Sequence, residues 1–95
     1  MSASKGKVTL LDNGSATSSA KVWPGGTGIF MVDATFGGGT VKLQYQAPNG
    51  SWVDAGPDTT LTANGGGVFE LPPCQIRVNV ATATGVYAIA THRGD

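Results

Sequence analysis

The sequence predicts an all-β fold: an antiparallel β-sandwich or small jelly roll of about eight strands, with no substantial helix. Three observations predict it. Apolar residues recur at every second position, the period of a strand with one buried face. Fifteen Gly and five Pro are spread through 95 residues, and both residue types oppose a helix interior. Turn signals return throughout, at Pro24-Gly25-Gly26, Asn49-Gly50 and Asn64-Gly65. A chain of this length makes one domain, residues 1–95, with flexible ends expected at 1–6 and 93–95.

The elements follow in order. Lys7 to Leu11 reads as a first strand, with Val8 and Leu10 on one face. Asn13 to Ser19 is a polar loop, and Ala20 to Trp23 a short strand stopped by the Pro-Gly-Gly cluster. Ile29 to Phe36 is the next strand. Phe30, Val32, Ala34 and Phe36 share one face and Met31, Asp33 and Thr35 the other, so Asp33 faces solvent or a partner. Thr40 to Gln46 alternates most cleanly, with Val41, Leu43 and Tyr45 inward and Lys42, Gln44 and Gln46 outward. One buried and one wet face is the pattern of an antiparallel sheet.

Asn49-Gly50 predicts a two-residue hairpin turn into Ser51 to Gly56, which places Trp52 to pack across the hairpin. Thr59 to Ala63 and Gly67 to Leu71 flank Asn64-Gly65 and read as another hairpin, ended by Pro72-Pro73. Gln75 to Thr82 points Ile76, Val78 and Val80 inward and Arg77 and Asn79 outward. Gly85 to His92 is the last strand.

Composition narrows the function. Five Leu, nine Val and three Ile make a modest core, and fifteen Gly raise the entropy cost of ordering the chain. Both favour association with copies or a larger assembly. Six basic and six acidic residues balance, and the basic ones are scattered. A nucleic-acid face needs several phosphate contacts together, so no nucleic-acid partner is expected. No apolar run approaches the roughly 18 to 20 residues of a membrane span, and the first residues lack a signal-peptide core. A soluble chain made in the host cytoplasm is the expectation.

The residues that carry chemistry in other proteins have structural readings here. Cys74 is the single cysteine. It has no neighbouring base or cation to activate it, and reads as a small apolar residue where a strand begins. His92, the single histidine, lies too near the end to serve a catalytic triad and reads as exposed or as an interface residue. Asp12, Asp54 and Asp58 lie within two residues of Asn, Gly or Pro and read as turn formers rather than a glycosidase pair. Asp54 and Asp58 match no calcium-loop spacing. Gly37-Gly38-Gly39 and Gly65-Gly66-Gly67 lack the following helix of a phosphate loop. They read as hairpin ends or points of close backbone approach. Arg93-Gly94-Asp95 spells an integrin-recognition tripeptide but sits at the chain's end rather than at a constrained loop tip. No catalytic, metal or cofactor-binding residue is therefore assigned, and the chain reads as no enzyme.

The stretch from Val22 to Gly85 resembles the small all-β structural proteins of tailed bacteriophages. The resemblance is carried by "VWPGGTGIF", "TFGGGTVKLQ", "PNGSWVDAG", "TLTANG" and "IRVNV". It implies a capsid decoration (cement) protein on the surface of the virion, typically a homotrimer, that binds the major capsid protein from outside and stabilises the shell. On that reading Trp23, Trp52, Tyr87, Val8 and Leu10 are the candidate interface residues. Met1 to Asp12 is then a candidate capsid-contacting arm or added strand. Two alternatives stand beside it: a tail or fibre module binding host-surface glycan through exposed aromatics, and a neck or tail assembly component present in few copies.

Overall fold

The computed structural model describes residues 7–92. It contains nine strands: β1 (Lys7–Gly14), β2 (Lys21–Trp23), β3 (Gly26–Thr35), β4 (Thr40–Gln46), β5 (Trp52–Asp54), β6 (Thr60–Leu61), β7 (Gly65–Leu71), β8 (Cys74–Ala81) and β9 (Thr84–His92). A 3-10 turn, Pro57–Thr59, separates β5 from β6. The strands form a sandwich of two antiparallel sheets. One has the order β1-β9-β3-β7; the other has the order β2-β8-β4-β5, with β6 also paired to β4.

The pairing is nested. β1 pairs with β9, β2 with β8, β3 with β7, and β4 with β5 and β6. The chain is thus one long hairpin, closed at the β4–β5 turn, whose successive pairs fall in alternate sheets. Rolling that hairpin up adds the β3–β9 and β4–β8 ladders that complete each sheet. This winding is a jelly roll.

The period-two pattern places the core as the sequence implies. Phe30 and Val32 from β3, Val41 and Leu43 from β4, and Ile76 and Val78 from β8 are buried between the sheets, and Tyr45 packs against them. β9 supplies only Val86, Ala88 and Ala90 to the same layer. Small residues on that central strand leave room for the large side chains of the facing sheet, the size alternation that close packing requires.

Three local expectations are corrected. Asn64-Gly65 does not close a hairpin: β6 pairs with β4 while β7 pairs with β3 in the other sheet. Asn64 instead ends a ladder, its Oδ1 accepting the Ala34 N–H at 2.8 Å. The expected strand from Thr59 to Ala63 shrinks to two residues after the 3-10 turn. At Asn49-Gly50 the loop is one residue longer than a two-residue turn. Gly50 N–H donates to the Ala47 carbonyl at 2.8 Å, Ala47 N–H donates to Ser51, and Gly50 has φ 92°. Pro48 and Asn49 thus make a type I turn, and Gly50 supplies the left-handed residue that restores the strand twist.

The amino-terminal segment also differs from an arm. Residues 7–12 lie inside β1, hydrogen-bonded along β9 as a strand of the chain's own sheet. Residues 1–6, and the end comprising Arg93, Gly94 and Asp95, lie outside the described residues. A register shift between Thr9 and Leu11 turns both Leu10 and Leu11 toward the core, so β1 anchors itself with two adjacent leucines.

The polar loop between β1 and β2 has a structural task. β2 pairs with β8 only from Cys74 to Ile76, which leaves the rest of that edge open. Ser18 N–H donates to the Val78 carbonyl at 2.9 Å, and Ser18 Oγ accepts the Val78 N–H at 3.0 Å. Thr17 Oγ1 accepts the Val80 N–H at 3.3 Å. The loop therefore stands in for a strand, and the Ser18 hydroxyl satisfies a buried donor that cannot be left unpaired.

Candidate functional site

The sequence's candidate interface residues separate into core and surface. Trp23 is 0% exposed, so it is a core residue and not a surface anchor. It stands on β2, and its indole crosses the sandwich to the other sheet. Its ring packs at 4.9 Å from Phe69 of β7 and stacks at 4.4 Å, nearly parallel, on His92 of β9. Leu10 is likewise buried in the core, and Val8 is half-buried against it. Both follow from β1 being a strand of the sandwich. Tyr87 and Trp52 remain at the surface, on opposite sheets.

His92 is also not the exposed residue its position suggested. Its Nε2 lies 2.7 Å from the Gly25 carbonyl oxygen, which can only accept, so Nε2 carries the proton. Its Nδ1 is buried without a hydrogen-bond partner among the described residues. Cys74 opens β8 beside Trp23 and packs against the core, and burial pushes its thiol pKa up. That is the environment of an unreactive thiol. Among the described residues no group of three His, Cys, Asp or Glu side chains is placed to hold a metal ion.

The outer face of the second sheet carries a cross-strand polar ladder. Register places Asp54 of β5, Gln44 of β4 and Arg77 of β8 in one row. Gln44 Nε2 donates to Asp54 Oδ1 at 2.8 Å, and Arg77 Nε donates to Gln44 Oε1 at 2.9 Å. Lys42 Nζ reaches Asp54 Oδ2 at 3.2 Å. The Arg77 guanidinium lies 4.5 Å over the Trp52 ring, a cation–π contact that fixes both side chains. The Gln44 hydrogen bond, then that of Lys42, holds the Asp54 carboxyl below its ordinary pKa. Asp54 is therefore a strand residue held in a network, not a turn former; Asp12 too lies within a strand, β1.

The outer face of the first sheet has the opposite character. Ile29 stands opposite Val68 and Met31 opposite Ile89 across their ladders, with Tyr87 opposite Asp33 beyond them. Met31, Val68 and Tyr87 are 41%, 48% and 49% exposed. Ile29 and Ile89 are half-buried, yet belong to no part of the core. Asp12, Asp33, Lys7 and Glu70 are exposed at the margins. An outward sheet face is ordinarily polar. A contiguous apolar stripe with charged margins is the pattern of a protein–protein contact surface.

Neither group is legible as a unit in the chain. The apolar stripe had a signal: "GIFMV", "GVFEL" and "GVYAIAT" carry apolar residues on both parities, which a strand wet on one face does not need. The ladder had none, because it joins β4, β5 and β8 and exists only once their register is set.

Gly39, Gly66 and Gly67 fit the close-approach reading, whereas Gly37, Gly38 and Gly65 have open space where a side chain would stand. A side chain at Gly39 would run into the Ala81 carbonyl, and one at Gly67 into the Asp58 carbonyl.

No family model matches this chain, and no curated protein or solved structure matches it.

Proposed function

We propose that this chain is a non-enzymatic structural protein that decorates the outside of a phage head and stabilises its shell. The observation that carries a binding role is the ladder on the second sheet. Trp52, Arg77, Asp54 and Lys42 are cross-braced, through the buried Gln44, into one pre-ordered patch. Pre-ordering lowers the entropy cost of association, and Trp and Arg are the residues on which protein interfaces concentrate their energy. Many copies of one modest contact, repeated over a shell, add up to large total stabilisation.

The head as destination rests on the resemblance of Val22 to Gly85 to phage structural proteins. The jelly-roll winding supports it by analogy, since such folds recur in viral capsid domains; they also recur in lectins. The glycan alternative is disfavoured by one contact: Arg77 covers a face of Trp52 on which a sugar ring would stack.

Cryo-electron reconstruction of the particle encoded with this chain tests the reading. The expected result is density for the sandwich at regularly repeated positions on the outer shell, with the Trp52–Arg77 face toward it. Recombinant protein should also co-sediment with undecorated heads, and Arg77→Ala or Trp52→Ala should weaken that binding at least ~10-fold. Density confined to the tail, or absence from the particle, would overturn the reading.

A further inference from the structure

We infer that the outer face of the first sheet is a two-fold interface between copies of this chain. The partner on the apolar stripe is a second jelly roll, packed face to face, and the polar ladder of each copy stays outward. The inference stands apart from the virion reading and departs from the trimer that the phage resemblance implies.

The ladder registers define the face as a grid. One row runs Asp12, Tyr87, Asp33 across β1, β9 and β3. The next runs Thr9, Ile89, Met31, Gly66, and the third runs Lys7, Thr91, Ile29, Val68, each from β1 to β7. Thr27 and Glu70 extend the grid by one row on β3 and β7.

A two-fold axis laid along the strands, between β9 and β3, places β9 of one copy over β3 of the other. Each Ile89 then meets the other copy's Met31, and each Thr91 meets its Ile29. Each Tyr87 meets the other copy's Asp33, where the phenol can donate to the carboxylate. At the margins the axis brings Lys7 within one row of the other copy's Glu70. Ile89 and Met31 pack against each other, a donor faces an acceptor, and Lys7, over the other copy's Val68, stands one row from its Glu70, all reciprocally. Such self-complementarity is the requirement of an isologous contact.

Size agrees with this occupant. Four strands about 4.8 Å apart, with same-face rows about 6.8 Å apart, give a face of roughly 400 Å² in projection. Side-chain relief raises this to roughly 600–800 Å² of accessible surface, close to the ~800 Å² per partner of a standard interface. Sheets packed face to face already hold each sandwich together; the dimer repeats that packing once more across its apolar faces.

Sedimentation equilibrium of the full chain from ~1 to ~100 µM tests this, a range that populates a dimer of micromolar or tighter affinity. The expected species has twice the 9.6 kDa mass of the chain. Met31→Glu, at an exposed position, should raise the dissociation constant at least ~100-fold by forcing two carboxylates into the contact. Val22→Glu, 65% exposed on the other sheet, should leave it unchanged, and melting curves check that both variants fold. A charge swap tests the axis itself. Lys7→Glu and Glu70→Lys should each weaken the dimer ~3- to 10-fold, and the double variant should restore it. A monomer at every concentration, a trimer, or a dimer indifferent to Met31→Glu would overturn the inference, as would a double variant weaker than either single one. A dimer formed by a chain that is absent from the virion would leave it standing while removing the decoration reading.

Discussion

The imidazole of His92 lies flat on the indole of Trp23, with ring centroids 4.4 Å apart and planes within 13°. Trp23 belongs to β2 in one sheet and His92 to β9 in the other, so the stack is a rivet between the layers at one end of the sandwich. The Gly25 carbonyl fixes the imidazole by accepting from Nε2. Histidine here acts as an aromatic plate with one polar edge.

That role predicts the order of substitutions at position 92. His92→Phe keeps the stack and removes the buried, unpartnered Nδ1. It should unfold within about 1 kcal/mol of the parent, since the gain offsets the lost bond to Gly25. His92→Ala loses the plate and should cost about 2–3 kcal/mol. Urea unfolding of both variants checks this; equal losses would mean that the hydrogen bond, not the stack, carries the contribution.

Gly28 is the position that lets Trp23 reach across. A methyl group there would sit 2.6 Å from Trp23 Cη2 and 2.8 Å from Phe69 Cζ. Neither ring can retreat from a filled core. Gly28→Ala should therefore destabilise the fold by about 2–3 kcal/mol and lower Tm by roughly 10–20 °C for a domain of this size. Calorimetry of this single variant is sufficient. A neutral result would show that the indole has room to shift.

Ser18 should be worth more than its place in a loop suggests. Its hydroxyl accepts the Val78 N–H, and it is 9% exposed. Ser18→Ala would leave that buried donor unpartnered, at a cost of about 1–2 kcal/mol. Hydrogen exchange at the Val78 amide should quicken in step with global stability or more, and unchanged exchange there would contradict the capping role.

Asp54 supplies a pH prediction with a defined sign. Its folded-state pKa is lowered, by Gln44 first and Lys42 second. The associated stability is present above the unfolded carboxylate pKa and is lost as pH falls through the folded value. Asp54 is half exposed, so solvent screening limits the contribution to about 0.5 kcal/mol or less. An NMR titration of the Asp54 carboxyl carbon should show its midpoint rising in Gln44→Ala, and rising less in Lys42→Ala. Equal midpoints in all three proteins would show that the ladder does not hold the carboxylate.

Much of the fold was legible in the chain because strand alternation is a local property. Val41, Leu43, Ile76 and Val78 could be assigned inward from the spacing of their neighbours alone. The failures came where a residue's neighbour in space is far away in sequence. Trp23 read as a possible surface anchor because nothing near it in the chain announces that β7 and β9 will close over it. The Asn64-Gly65 pair has the composition of a hairpin turn, yet its flanking strands find partners in different sheets.

The sequence by itself determined that this is an all-β chain of alternating strands, and which residues of β3, β4 and β8 point inward. Those outcomes follow from side-chain alternation and backbone propensity, which act over a few residues. Only the tertiary structure decided that the strands nest as a rolled hairpin. It also set the register that aligns Asp54, Gln44 and Arg77 in one row and Ile29, Met31, Val68 and Ile89 in one patch. Register depends on ladders between distant segments, and a shift of one residue would send every one of those side chains to the opposite face.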